Sequence, residues 1–163
     1  MLTPEEAATG WMRALNARDL TTGLALWAPG ARQNVRGQVD TTAPGGVRDQ
    51  MEELFAAVPD ARFEVVATTT EGDRCALQWR LAGGFDGRGS LAGVAPTGGR
   101  IELEGVDVFT VRDGLIRAND AFSDTMEFAR QVGMMPARAS LAERAMTAGF
   151  NALTRAKRLA ARR

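Results

Sequence analysis

The chain contains no histidine and no tyrosine. The first absence removes the commonest general base and the commonest transition-metal ligand. The second removes the phenol that many isomerase pockets use to steady an enolate. A Ser-His-Asp or Cys-His mechanism is thereby excluded, and a zinc site is not expected. A single cysteine, Cys75, rules out an internal disulfide framework. No apolar run approaches the roughly 18 residues that a membrane-spanning helix needs. The opening Met-Leu-Thr-Pro-Glu-Glu has neither the basic nor the apolar region of a secretory leader. The expectation is a cytoplasmic protein with no metal, no cofactor and no membrane partner. Acid-base chemistry falls to Asp and Glu, leaving Arg, Asn, Gln, Trp and backbone amides to polarise a bound molecule.

What is present fits one globular domain with an appendage: 163 residues, 45% of them hydrophobic. A net charge of zero conceals an uneven division. Residues 137–163 hold seven Arg or Lys and one Glu, while the preceding residues hold 13 basic and 19 acidic ones. The body (1–136) is acidic and the tail (137–163) basic.

Thr3-Pro4-Glu5-Glu6 reads as a helix start, with Thr as N-cap, Pro at the first helical position and acids in the first turn. Ala7, Ala8, Trp11, Met12 and Leu15 continue it as an apolar stripe to about Ala17. A second short helix follows Asp19, carrying Leu20, Leu24 and Trp27 and stopping at Pro29-Gly30, and residues 31–36 read as a short strand. Val47, Met51, Leu54 and Phe55 give a third helix, closed by Pro59. The period then changes to two. Strands are expected at Phe63 to Thr70 and at Arg74 to Gly83, then, beyond a glycine-rich loop, from Ile101 to Val111 and onward from Leu115. Asp113-Gly114 reads as the hairpin turn between the last two. Asp124 to Val132 reads as a helix, and Ser140 to Arg163 as a basic amphipathic one. Helices first and antiparallel strands after argue an α+β domain. The tail, with no aromatic residues interleaved among its basic ones, reads as packing on the acidic body or on a partner subunit rather than on nucleic acid.

Three acids stand where strand alternation calls for apolar side chains. Asp107 shares a face with Ile101, Leu103, Phe109 and Val111, and simple alternation puts Asp120 and Asp124 on one face with Ile116 and Phe122. A buried carboxylate is costly unless paired, hydrogen-bonded or protonated, and burial raises its pKa towards the range useful for proton transfer. Either these are catalytic or ligand-gripping groups, or they tie down backbone or an arginine. Asp124 also reads as a helix N-cap. Trp11, Trp27, Trp79, Phe85 and Phe122 are pocket-lining candidates that equally suit a core. The glycine-rich loop lacks the Gly-Lys-Ser/Thr ending and the following helix of a phosphate cradle, and reads as a flexible rim over a pocket mouth.

The run Trp79-Arg80, Gly83, Pro96-Thr97-Gly98-Gly99-Arg100-Ile101, Gly105-Val106-Asp107-Val108-Phe109 and Arg112-Asp113-Gly114-Leu115-Ile116, ending in Phe128 to Gly133, resembles the SnoaL-like branch of the nuclear transport factor two-like superfamily. The resemblance implies a cone of strongly curved antiparallel sheet packed on N-terminal helices, a cystatin-like α+β barrel, usually dimeric, with a pocket between sheet and helices. The tail would be an extra C-terminal helix. By resemblance to the polyketide cyclases, Asp120 or Asp124 is the general acid-base, and Phe109 stands where several of them carry a His. By resemblance to the limonene-epoxide hydrolases, Arg80 and Asn34 match an Arg and an Asn of the water-activating set, whereas Ala82 and Arg32 replace its Asp and Tyr. The expectation is a cofactor-independent enzyme acting on a small apolar carbonyl- or epoxide-bearing metabolite. Asp120, Asp124, Asp107 and Arg80 are its catalytic candidates, and Asn34, Trp27, Trp79, Phe85, Phe109, Asn119 and Phe122 the ligand-binding ones. The alternative is a non-catalytic protein of the same fold that binds a small hydrophobic ligand. A homodimer is expected in either case.

Overall fold

Thr3 caps the first helix, α1 (Pro4–Ala17), through a reciprocal pair of bonds: its hydroxyl accepts from the Glu6 amide at 3.2 Å, and its own amide donates to the Glu6 carboxylate at 2.8 Å. The computed structural model describes residues 1–161. The predicted stripe of α1 is buried at Ala7, Ala8, Trp11, Met12 and Leu15. The second helix, α2 (Leu20–Leu24), capped by Asp19, is shorter than its apolar spacing predicts. Trp27 already begins strand β1 (Trp27–Val35), because Gly30, at φ +75, lets the chain bulge there and continue extended. A short β2 (Val39–Thr42), which periodicity does not show, returns antiparallel to β1. Helix α3 (Gly45–Ala57) buries Val47, Met51 and Leu54.

The long strands follow as expected: β3 (Arg62–Glu71), β4 (Arg74–Phe85), β5 (Gly99–Arg112) and β6 (Leu115–Ser123). Asp113 and Gly114, at φ +56 and +76, make the tight turn between the last two. The curved, unclosed sheet runs β2-β1-β6-β5-β4-β3. All its pairings are antiparallel except β1 with β6. Its inner face carries Leu77, Trp79 and Leu81 from β4 and Ile101, Leu103 and Phe109 from β5, all buried. Against this face lie α1 and α3, with α4 (Thr125–Gln131) beside β5. The outer face of β3, β4 and β5 is charged.

Beyond α4 the chain forms α5 (Leu141–Ala160), capped by Ser140 as its sequence suggests. Of the two placements expected for it, packing on the acidic body is not what the structure shows. None of its residues is buried, and Leu141, Phe150 and Leu153 are more than half exposed. Its side-chain ties lie at its first turn, where Glu143 accepts from Arg130 at 2.9 Å and from the Ala139 amide. No helix of the described residues is long and apolar enough to cross a membrane.

Candidate functional site

Alternation along β5 turns Ile101, Leu103, Asp107, Phe109 and Val111 inward, so Asp107 enters an otherwise apolar face, 6% exposed. Two residues before it, Gly105 stands opposite Trp79 on β4. A Cβ at position 105 would lie 2.3 Å from the Trp79 ring and 2.5 Å from the Phe122 carbonyl oxygen. The missing side chain therefore lets the indole lie across β5 and donate its N–H to Asp107 Oδ1 at 2.8 Å. From the other neighbour, β6, Asn119 donates its amide to Oδ2 at 2.7 Å, itself fully buried. Three adjacent strands thus hold one carboxylate.

Burial raises the pKa of Asp107 to about 6, and the hydrogen bonds from Trp79 and Asn119 oppose that rise by favouring the charged form. The group is mostly ionised at neutral pH yet accepts a proton far more readily than an exposed aspartate, the property required of a general base or acid.

Asp107 lies in the wall of a cavity of about 350 Å3. Trp11, Met12 and Leu15 of α1 and Met51 and Leu54 of α3 form one side; Phe63, Trp79, Leu81 and Leu103 form the sheet side. Leu91 and Val94, from the segment between β4 and β5, contribute to the rim, with Phe128 of α4. That rim is fastened rather than loose: the Gly87 and Arg88 amides donate to carbonyls at the end of α3, and the Ala92 amide to Glu53, at 2.9 to 3.0 Å. The polar lining consists of Gln33, Gln38, Gln50, Ser123 and Thr125, and its charged members are Asp107 and Asp124 alone. Among the described residues no group of three or more His, Cys, Asp or Glu is gathered closely enough to hold a metal ion.

The remaining sequence candidates are distributed elsewhere, and the three aspartates do not converge. Asp120 points to the outer face, where Arg32 and Arg36 donate to one of its oxygens at 2.8 and 2.9 Å. The reason is an extra residue in β6: Thr110 pairs with Ala118 but Val111 with Ile116, and beyond that bulge Asn119 and Ala121 face inward in place of Ala118 and Asp120. The same shift leaves Phe122 exposed, with Arg36 over its ring. Asp124 sits at the cavity mouth and caps α4, accepting from the Glu127 amide at 2.8 Å.

Arg80 lies outside the cavity, since β4 has no bulge at that point to turn it inward; it bridges Glu64 and Glu104 on the outer face. Asn34 faces outward beside Asp40. Trp27, Phe85 and Phe109 are core residues behind the cavity lining, Trp27 packed edge-on against Trp11 and Phe109, and Phe85 against Phe128. Of the candidates, Asp107, Trp79 and Asn119 form one hydrogen-bonded unit, with Asp124 separate at the rim. Sequence reasoning missed Gln33, Gln50 and Met51 as lining residues. The alternation Ala31, Gln33, Val35 carried the signal for Gln33, since Ala31 is buried and Val35 lines the cavity.

The same architecture is found in solved structures. AclR, a candidate hydroxylase from Streptomyces galilaeus, superposes with a TM-score of 0.74 at 21% identity over 94% of this chain and 96% of its own. IdmH, a candidate polyketide cyclase from Streptomyces antibioticus, gives 0.68 at 28% identity over 81% and 99%. A candidate SnoaL-like polyketide cyclase from Jannaschia sp. CCS1 gives 0.71 at 21% over 83% and 97%. No curated protein sequence matches the chain. Residues 8–119, well over half the length, match the SnoaL-like domain, and the protein belongs to that family within the nuclear transport factor two-like superfamily.

Proposed function

We propose that the chain is a small cofactor-independent enzyme of cyclase or isomerase type, moving a proton on an apolar, carbonyl-bearing metabolite with Asp107 as its acid-base group. The observation that carries this reading is a fully buried carboxylate in the wall of a largely apolar cavity, its pKa raised to about 6. The candidate polyketide cyclases and the candidate hydroxylase among the similar structures support the reaction class. An epoxide-opening route loses its arginine, because Arg80 is engaged by Glu64 and Glu104 on the far face.

Ionised Asp107 takes a proton from the carbon beside the substrate carbonyl, and the electron pair left behind moves onto the carbonyl oxygen as an enolate. In an isomerisation the proton returns at a second carbon. In an aldol-type ring closure the enolate carbon attacks a second carbonyl, and the proton passes from Asp107 to the new alkoxide. Either way the carboxylate ends as it began. Trp79 and Asn119 keep it from rotating, and the apolar walls strengthen each polar contact by excluding water. A positioned base is worth about 10²–10⁴-fold in rate.

The test does not need the natural substrate: exchange of the acidic carbon-bound hydrogens of β-tetralone for deuterium, followed by NMR, reads proton abstraction directly. Asp107→Asn is expected to reduce the catalysed exchange by about 10²–10⁴-fold with the near-ultraviolet spectrum retained. Exchange by the variant at the wild-type rate overturns the assignment. A second reading rests on the same geometry. Each carboxylate oxygen already accepts from a fixed donor, as in a structural tie, and the cavity would then hold a hydrophobic ligand without turning it over. Tight binding of the ketone with exchange at the solvent rate favours that reading.

A further inference from the structure

Helix α5 lies beyond the SnoaL-like domain and is without a partner along most of its length. At about 3.6 residues per turn, Leu141, Met146, Phe150, Leu153 and Leu159 fall on one side of it, and Asn151, Thr154 and Arg158 on the other. All five of those apolar residues are exposed. The two positions of α5 that are partly covered, Glu143 and Thr154, belong to the polar side, so the apolar side is the one turned to solvent. Helices in proteins draw most of their stability from packing such a side. Among the described residues nothing in the same chain supplies that packing.

Charge selects the occupant. Residues 137–163 carry seven basic residues and one acidic, whereas the body carries 13 basic and 19 acidic ones. An anionic lipid surface would attract the helix but repel the body that accompanies it. A second copy of the chain offers an acidic body to each basic helix, so the attraction acts in both directions at once.

The acids of the body are also gathered in a place that suits the helix. Glu102, Glu104, Asp124 and Glu127 line a groove of about 320 Å3 on the outer face, with Arg80 and Arg138 as their counter-charges. From Glu104 the outer side of β5 continues to Val106, which pairs with Phe122 of β6, and Phe122 is 46% exposed. Met126, next to Glu127 on α4, is exposed as well. Acidic and apolar groups thus adjoin there. On α5, Arg155 and Lys157 stand at the two borders of the apolar side, with stems long enough to reach past the edge of an apolar contact. Its 20 residues give a length of about 30 Å, the span of a small domain, enough to lie across that face of another molecule.

We propose that α5 is an arm exchanged between two copies of this chain. Its apolar side lies on Val106, Phe122 and Met126 of the second copy, and Arg155 and Lys157 meet the acids of the groove, Glu102, Glu104 and Glu127. Each copy gives an arm and receives one, so the contact closes as a two-fold dimer.

Sedimentation equilibrium of the intact chain over the micromolar range tests this. A dimer is expected. Arg155→Glu combined with Lys157→Glu should weaken it about tenfold, and so should Glu102→Lys combined with Glu104→Lys. The chain carrying all four substitutions restores the complementarity with its signs reversed and should associate again. Should the groove variant fail to fold, Phe150→Ser decides, since that side chain is exposed in its own chain and its loss should weaken the dimer about tenfold. A monomeric chain, whether or not phosphatidylserine-containing vesicles capture it, overturns the proposal. So does a dimer that withstands either the arm or the groove substitutions.

Discussion

At the scale of single residues, Asp107 should be visible in the stability of the fold as well as in catalysis. Its folded pKa, about 6, lies above the ordinary carboxylate value near 3.8. Between those values the folded state binds more protons than the unfolded one, so stability falls as pH rises through that window, by about 3 kcal/mol at most. Urea midpoints measured from pH 4 to 7 should show this fall in the wild type and lack it in Asp107→Asn. Gly105→Ala is expected to cost about 1–3 kcal/mol, since the added carbon collides with the Trp79 ring and with a backbone oxygen that cannot move aside. It should also displace the indole from Asp107, seen as a change in tryptophan emission. Asp120→Ala separates the two aspartates. An ion pair on the outer face, shared with two exposed arginines, contributes at most about 1 kcal/mol, and the variant should retain the β-tetralone exchange of the wild type.

At the scale of elements, α5 buries nothing of its own, so removing residues 141–163 should lower the stability of the body, read from urea unfolding, by no more than about 3 kcal/mol, the worth of the charged Arg130 to Glu143 hydrogen bond that goes with it. A larger loss, measured at low protein concentration, would mean that the helix is held elsewhere. The helices and long strands were legible in the sequence because each carries a local signal: the Thr3 cap, the period-two runs and the Asp113-Gly114 turn. The position of Asp107 was legible for the same reason, as β5 keeps strict alternation from Ile101 to Val111. The position of Asp120 was not, because one extra residue in β6 reverses the phase of everything after it, and a bulge has no signature in side-chain period. Arg80 was misplaced by resemblance, whereas the alternation of β4 puts it outside. Strand β2, four residues with mixed polarity, depends on its pairing with β1, which local pattern does not encode.

At the scale of the whole molecule, the sheet joins the beginning of the chain to its end. β1 lies beside β6, and β2 is held to the rest of the sheet through β1 alone. The parallel register that sets Gln33 next to Asn119 therefore brings together residues from the first and last quarters of the body. During synthesis, the β1 and β2 segments leave the ribosome with only each other to pair against until β6 has emerged. The segments that bring Gln33, Val35 and Gln38 to the cavity wall must wait as an open edge, and a nascent chain stalled before Leu115 lacks the strand that closes the gap between them and β5. Such long-range closure is slow, which makes that interval the one in which this chain is most exposed to association with other nascent copies.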